Sequence, residues 1–396
     1  MAKDEKTYDV LVVGAGPAGS TAAGRCAELG LRTLLFDRRA FPRPKACGGG
    51  LTRAAQTILG DHLPAKTVET ECDRLIADFG GRRLEARMPR PFMATVRRES
   101  FDLALVEAAT SAGAEFRPGV EVATLEEDPT SKTLAVHLLN SATGRSTPAR
   151  ASVLIAADGV MGRVSRILAG PLRQADLAFC LVGEAEPDGE VRTPLRPDTI
   201  QCFYGLVGAG YGWIFPLKDG YNVGLGAPAP EAAKVAARWT VFLQENSLRL
   251  RRKATGAFVP VGGPRRALAG RRWALAGDAA GLADPFSGEG IRYAMSSGLL
   301  AAESAAHYLD GGPELSRSYP RLLHRSCAGD LRVACRVQRL VARRPAVMER
   351  LFFGSGDPFR QMLGILDGTT TYRDLIKQLL PVLPGAYLRG ALRVRP

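Results

Sequence analysis

The stretch that most restricts this chain runs from Tyr8 to Arg39, YDVLVVGAGPAGSTAAGRCAELGLRTLLFDRR. Val10 to Val13 form a continuous apolar run, the pattern of a buried parallel strand, and Ala18 to Leu29 supply small residues followed by a helical pattern. Between them Gly14, Gly16 and Gly19 fall at GxGxxG spacing. In a strand, turn and helix unit the first glycine permits the turn. The second lets a pyrophosphate approach backbone N–H groups, and the third lets the helix pack closely. Asp37 closes the next strand 18 residues after Gly19, placed to accept from a ribose hydroxyl. An acid there suits an unphosphorylated adenosine ribose, as in FAD or NAD.

Later segments extend this unit. TVRRESFDLALVEAATSAGAEF, residues 95–116, reads as a helix with Phe101, Leu105, Val106 and Ala109 on one side, ending at Gly113 before a strand with Glu115 and Phe116. ASVLIAADGVMGRVSR gives a buried strand, Val153 to Ala156, terminated by Asp158-Gly159. In WALAGDAAGLADPFSGEGIRYAMSSGLLAAESA, Trp273 to Ala276 form a strand, Gly277 allows a turn, Asp278 sits at its end, and a small-residue helix follows Gly288 and Gly290. No second glycine fingerprint follows the first, so a separately folded NAD(P) domain is not expected.

Between 171 and 270 the pattern changes. QCFYGLVGAGYGWIFPLKDGYNVGLGAP predicts an antiparallel hairpin turning at LKDGY, with glycines that keep positions thin beside a second sheet or a ligand. Trp213 and Phe215 are read as facing opposite sides of their strand up to Pro216, one entering a pocket and the other packing behind it.

PRPKACGGG, residues 42–50, places one lysine, one cysteine and three glycines just beyond the Asp37 strand. Two readings of Cys47 stand open. Lys45 and Arg43 would favour its thiolate, or it is a small, soft residue beside which Gly48 to Gly50 let the backbone come close to a flavin or an alkyl chain.

Composition removes other classes. The 396 residues are 46% hydrophobic, enough for a substantial core, and the seven cysteines include no CxxC pair. Neither a disulfide framework nor a metal site is expected. The start lacks the pattern of an export signal and no run approaches a membrane span, so the expected location is cytoplasmic, with a peripheral membrane contact allowed by the basic C-terminal segments. The net charge of +13 comes without zinc-finger spacing or an aromatic RNA-binding pattern, so no nucleic acid is expected.

The PRPKACGGG and YGWIFP segments, the single dinucleotide fingerprint, and GDAAG followed by PFSGEGI together resemble the geranylgeranyl reductase family of FAD-dependent oxidoreductases, within the aromatic-hydroxylase-like flavoproteins. The matching positions are Pro42, Lys45, Cys47 and Gly48 to Gly50, then Tyr211, Trp213, Phe215 and Pro216, then Gly277 to Gly281 and Pro285 to Ile291. The resemblance covers roughly residues 8 to 310.

It implies an α/β chain: a Rossmann-like FAD-binding domain, an interleaved antiparallel-sheet substrate domain and a C-terminal helical region. The corresponding division is 1–165 for the first part of the FAD domain, with a substrate-domain excursion at 60–95, then 166–270 for the substrate domain, 271–310 for the rest of the FAD domain and 311–396 for a helical cap. FAD would be held by Gly14, Gly16, Ala18, Gly19, Asp37, Lys45, Cys47, Gly48, Gly49, Arg98, Asp158, Asp278, Gly288, Gly290 and Ile291, with Arg98 on the pyrophosphate side and Asp278 at the ribityl chain. Tyr211, Trp213, Phe215 and Pro216 would wall the substrate pocket, with Cys47 and Tyr211 as catalytic groups.

The implied reaction is saturation of carbon–carbon double bonds in an isoprenoid diphosphate or prenylated lipid, by hydride from reduced flavin with protonation of the alkene. The electron donor, NAD(P)H or reduced ferredoxin, is left open, and with it a redox partner protein. A FAD-dependent monooxygenase that hydroxylates a hydrophobic or aromatic small molecule and a noncatalytic isoprenoid-binding flavoprotein are the alternatives. One departure stands out: the family's DGxxSxxR reads DGVMGRVSR here, so Gly162 replaces the serine and the arginine's part would fall to Arg163 or Arg166.

Overall fold

The computed structural model describes residues 6–60, 64–127, 132–189, 196–342 and 358–379. The segments LPG and GALRVRP, and most of GSGDP, lie outside them.

The apolar run singled out above becomes the strand Lys6–Val13, at the centre of a seven-stranded sheet. Parallel neighbours are Thr33–Asp37 on one side and Ser146–Ala156 on the other; Glu115–Pro118 continues beyond the first and Trp273–Leu275 beside the second. Leu134–Asn140 and Val120–Glu127 add antiparallel strands. Val10, Leu11 and Val12 are fully buried because helices cover this sheet, which is why the sequence there is continuously apolar rather than alternating. The helix Pro17–Glu28 packs against the small-residue helix Ile291–Leu309, and buried Tyr319 donates from its hydroxyl to the Leu275 carbonyl at 2.7 Å, tying the helix Leu315–Leu323 to the strand Trp273–Leu275.

The second sheet has eight strands. Its central hairpin pairs Tyr211–Leu217 with Gly220–Pro228, and Lys218 and Asp219 form the turn. Leu177–Pro187 lies beside the second hairpin strand, and Thr199–Tyr204 beside the first. Arg74–Phe79 and Arg82–Arg87, from a distant part of the chain, complete the far edge, the first of them parallel to Thr199–Tyr204. One face packs on the helix Ala232–Glu245 through Ile214, Val223, Leu225, Trp239 and Phe242. The other face is turned toward the dinucleotide turn.

Three strands, Gly50–Thr52, Met93–Val96 and Val68–Cys72, form a small sheet between the two large ones. This corrects the start of the helix read over TVRRESFDL. Thr95 and Val96 belong to the strand, buried on both sides, and the helix spans Arg98–Ser111. Among the described residues no helix is long and apolar enough to cross a membrane, and no group of three or more potential ligands is placed to hold a metal.

Candidate active site

A cavity of about 600 Å³ runs from the glycine turn after the first strand to the open face of the second sheet. At its first end Gly14 takes a left-handed φ of +94°, and a Cβ on Gly19 would fall 1.8 Å from the Gly14 carbonyl oxygen, so turn and helix meet with no room for a side chain. Gly16 differs. Its φ is ordinary, and the nearest atom to a methyl group at this position would be an Arg43 nitrogen at 3.7 Å, so its bare backbone faces the cavity. Asp37 Oδ2 accepts from the Ala15 N–H at 2.9 Å and Oδ1 from the Arg39 N–H at 2.9 Å, which fixes the carboxylate at the strand end beside the cavity.

Arg43 lies in this region and is the residue that pattern reading of PRPKACGGG undervalued. Its guanidinium stands 3.3 Å from Asp102 and 3.7 Å from Asp37, bridging the strand end to the helix Arg98–Ser111. Arg98 is clamped by the same Asp102 through two bonds of 2.7 and 2.9 Å and also interacts with the Cys47 side chain. A single buried carboxylate thus orients two guanidinium groups along the cavity.

Asp158 sits across from the glycine turn. Its Oδ2 accepts from the N–H groups of Val164 and Ser165, at 2.7 and 3.2 Å, while its buried Oδ1 has no hydrogen-bond partner among the described residues. Burial pushes this carboxyl upward against those backbone donors. A Cβ on Gly162 would lie 2.1 Å from the Asp158 carboxyl carbon, so the glycine in place of the serine is what lets Asp158 fold back over its own helix start. The expectation for the arginines is corrected here. Arg163 donates to the Ala123 carbonyl and Arg166 to the Gly162 carbonyl, and neither lines the cavity. Asp278 is also at the cavity wall; burial raises its carboxyl, with Lys45 and Arg98 opposing.

These features fit FAD. The glycine cradle gives a pyrophosphate access to main-chain N–H groups, Asp37 stands at ribose position, and the orphaned Asp158 oxygen and the buried Asp278 carboxyl are acceptors with a use only when a polar ligand fills the cavity.

At the other end lies the aromatic hairpin, where the reading of alternating faces is corrected. Residues two apart on a strand share a face, so Tyr211, Trp213 and Phe215 all point into the cavity, while Ile214 packs behind. Their ring centroids are spaced 5.8 and 6.2 Å, a continuous apolar wall extended by Tyr204, Cys202 and Ile200 on the neighbouring strand. The opposing hairpin strand offers Gly226, Gly224 and Asn222 on the same face. Asn222, which pattern reading missed, joins the two halves of the site. Its Oδ1 accepts from Trp213 Nε1 and its Nδ2 donates to the Cys47 carbonyl, both at 2.9 Å. Cys47 Sγ accepts from the Gly49 N–H at 3.4 Å. The Tyr211 hydroxyl donates to the Ser287 carbonyl, and burial drives its acidity well below that of an ordinary phenol. Gly288, Gly290 and Ile291 line the cavity between the two ends, but Pro216, expected in the pocket wall, does not: one residue beyond Phe215 it falls on the other side of the strand, with its carbonyl accepting from the Thr95 hydroxyl at 2.7 Å.

Residues 7–182 match the family model described as FAD binding domain. Over 351 residues the chain is 32% identical to menaquinone reductase of Mycolicibacterium smegmatis, covering 84% of each chain. Geranylgeranyl diphosphate reductase of Rhodobacter capsulatus is 33% identical over 310 residues, 77% of this chain and 76% of that one. Among solved structures, a geranylgeranyl bacteriochlorophyll reductase-like protein from Thermoplasma acidophilum superposes with a TM-score of 0.81 over 96% of this chain and 100% of its own, at 22% identity, a likeness of fold.

Proposed function

The chain belongs to the geranylgeranyl reductase family of FAD-dependent oxidoreductases, and on that premise we propose that it saturates carbon–carbon double bonds in a geranylgeranyl or other polyprenyl chain. The observation that carries this reading is the wall of Tyr211, Trp213 and Phe215, which makes one end of the flavin cavity a dry, extended apolar surface.

In this reading Gly14, Gly16 and Ala18 receive the FAD pyrophosphate with Arg98 beside them, while Gly19, which does not line the cavity, acts by letting the helix pack on the turn; Asp37 receives the adenosine ribose, and Asp158 and Asp278 accept from the cofactor's hydroxyl groups. Lys45, Cys47, Gly48 and Gly49 form the loop against the flavin ring, with Gly288, Gly290 and Ile291 opposite. Reduced FAD, when bound, supplies the hydride. The aromatic wall holds the alkene in place and keeps out water, which is how the protein lowers the barrier to an addition that no carbonyl assists.

A proton must reach the other alkene carbon. Tyr211 commits its hydroxyl proton to Ser287, so it serves as wall and anchor. We assign the transfer to the Cys47 thiol, because the sulfur left behind is met by the Gly49 N–H and by Arg98. Replacement Cys47→Ala should leave flavin content unchanged and slow saturation by about 100-fold; turnover within a factor of two of wild type would remove the thiol from the reaction.

The reading itself is tested by high-resolution mass analysis after geranylgeranyl diphosphate and prenyl lipids are incubated with flavin-loaded protein and a chemical reductant under limited oxygen. Products should gain multiples of about 2 mass units, the mass of the hydride and proton added at each alkene. A gain of about 16, one oxygen atom, would move the chain to the hydroxylases.

A further inference from the structure

Each saturated bond consumes a proton at the apolar end of the cavity, and the residue that hands it over has to be recharged. The segment PFSGEGI supplies a group with no role so far. Glu289 lines the cavity with a side chain only 4% exposed. Its Oε1 shares a short hydrogen bond with the Thr52 hydroxyl. Arg292 lies 3.3 Å from Oε2 but off hydrogen-bonding geometry, which leaves that oxygen without a hydrogen-bond partner among the described residues. The guanidinium also donates to the Ile365 carbonyl at 3.0 Å and to the Tyr293 hydroxyl, while its Nε has no hydrogen-bond partner among the described residues.

We propose that Glu289 is the proton store of the reaction and that the Thr52 hydroxyl passes its proton into the cavity to recharge the donor. This rests on the reductase reading and deepens it. The count of hydrogens supports the relay. Thr52 Oγ1 already accepts from the Ala55 N–H at 3.2 Å. When Glu289 is protonated, its O–H occupies the hydroxyl's other lone pair, so the hydrogen of Thr52 is free to point into the cavity that Thr52 also lines.

Reduced FAD, when bound, would supply the hydride for one alkene carbon, and as the π bond opens the Cys47 proton would form the C–H bond at the other. Thr52 takes the carboxyl proton and gives its own hydrogen to the cavity that it shares with Cys47, where it recharges the thiolate. Glu289 is reprotonated from solvent, and the oxidised flavin would regain its hydride equivalent either as hydride from a nicotinamide donor or as two electrons from an iron–sulfur donor with a second proton from solvent.

The charged and titratable groups facing Glu289 are Arg292 and Tyr293 on its following helix, Asp284 on its own loop and Tyr372 on the helix Tyr372–Leu379. Burial pushes the carboxyl up to about 7, with Arg292 opposing and Asp284 assisting. The acid form is the competent one, so the rate of repeated turnover should fall as pH rises through about 7.

The test uses flavin-loaded Glu289→Gln, an isostere that keeps the contact with Thr52, and Thr52→Val as a second variant. With excess reductant and geranylgeranyl diphosphate, both variants should complete the first turnover per enzyme molecule at the wild-type rate and later turnovers about 10-fold or more slowly, with the decline above pH about 7 abolished. Independently of turnover, infrared difference spectra of wild type against Glu289→Gln, with carbon-13 glutamate, should show a protonated carboxyl that ionises near that pH. Variants with unchanged later turnovers, or with the first turnover slowed equally, would overturn the store. So would a carboxyl already ionised at pH about 6, one unit below the expected midpoint. A wild type that leaves the diphosphate unchanged overturns the reductase reading and the role with it, while the spectra still report on Glu289 alone.

Discussion

Gly16→Ala will yield a folded protein that carries almost no flavin. The three glycines of the first turn look equivalent in sequence, but they carry different loads. A methyl group on Gly19 would sit 1.8 Å from the Gly14 carbonyl oxygen, and Gly14 holds a φ of +94° with its own Cβ position 2.5 Å from the Ala157 carbonyl oxygen, so either substitution breaks the packing of turn, helix and sheet. At Gly16 the nearest neighbour is 3.7 Å away and is the far end of the Arg43 side chain. The flavin-free protein should therefore tolerate alanine with a change in stability below about 0.5 kcal/mol. The methyl group instead occupies the space through which the pyrophosphate reaches the backbone. Losing one or two charge-assisted N–H contacts costs about 3 kcal/mol, near 100-fold in FAD affinity. The ratio of flavin to protein absorbance after purification, with the melting temperature of the flavin-free form, reads both halves. Full flavin content in Gly16→Ala would mean that the pyrophosphate lies elsewhere. Gly19→Ala should fail at the level of folding.

What sequence could and could not reveal follows from the range of the interactions involved. The unit from Tyr8 to Arg39 was legible because strand, turn, helix and acid are neighbours in the chain, and each constrains the next. The hairpin was legible for the same reason, and so was the direction of its aromatics, although Trp213 and Phe215 were read as facing opposite sides: their spacing of two residues, with a strand period of two, puts Tyr211, Trp213 and Phe215 on one face. Arg163 and Arg166 were tied to the cavity by analogy of motif, while Gly162 lets Asp158 fold back so that both guanidinium groups are spent on main-chain carbonyls. Asn222 and Glu289 could not have been found locally. Asn222 acts on Cys47 and Glu289 on Thr52, contacts made only when the hairpin and the PFSGEGI loop close on the small central sheet. The sequence signal for them was position alone: Asn222 is the one polar residue opposite the aromatic row, and Glu289 the one acid in an otherwise small and apolar turn.

Gly224→Ala should abolish prenyl reduction while leaving the flavin in place. A Cβ on Gly224 would meet the Trp213 ring at 2.0 to 2.4 Å, a contact that no small adjustment relieves. The indole cannot retreat. Its Nε1 is bonded to Asn222, Asn222 holds the Cys47 carbonyl, and Ile214 behind it belongs to a closed core. It must swing into the cavity, taking the wall out of line with the loop that carries Cys47. A displacement of about 1 Å at a reacting centre costs on the order of 100-fold, and here the ring also fills space the alkene needs. The glycine turn lies on the other sheet, so FAD content should remain that of the wild type. Trp213→Ala makes the complementary change. It removes the ring, costs about 3–5 kcal/mol of stability as a large-to-small core substitution, and should still reduce prenyl chains while losing preference among their double bonds. Because the two effects meet in one ring, the double variant Trp213→Ala with Gly224→Ala should be more active than Gly224→Ala alone, a non-additivity expected only of residues in contact. Counting saturated bonds by product mass across the four proteins decides it. Equal activity in Gly224→Ala and wild type, or a double variant no better than Gly224→Ala, would place the substrate away from the aromatic face.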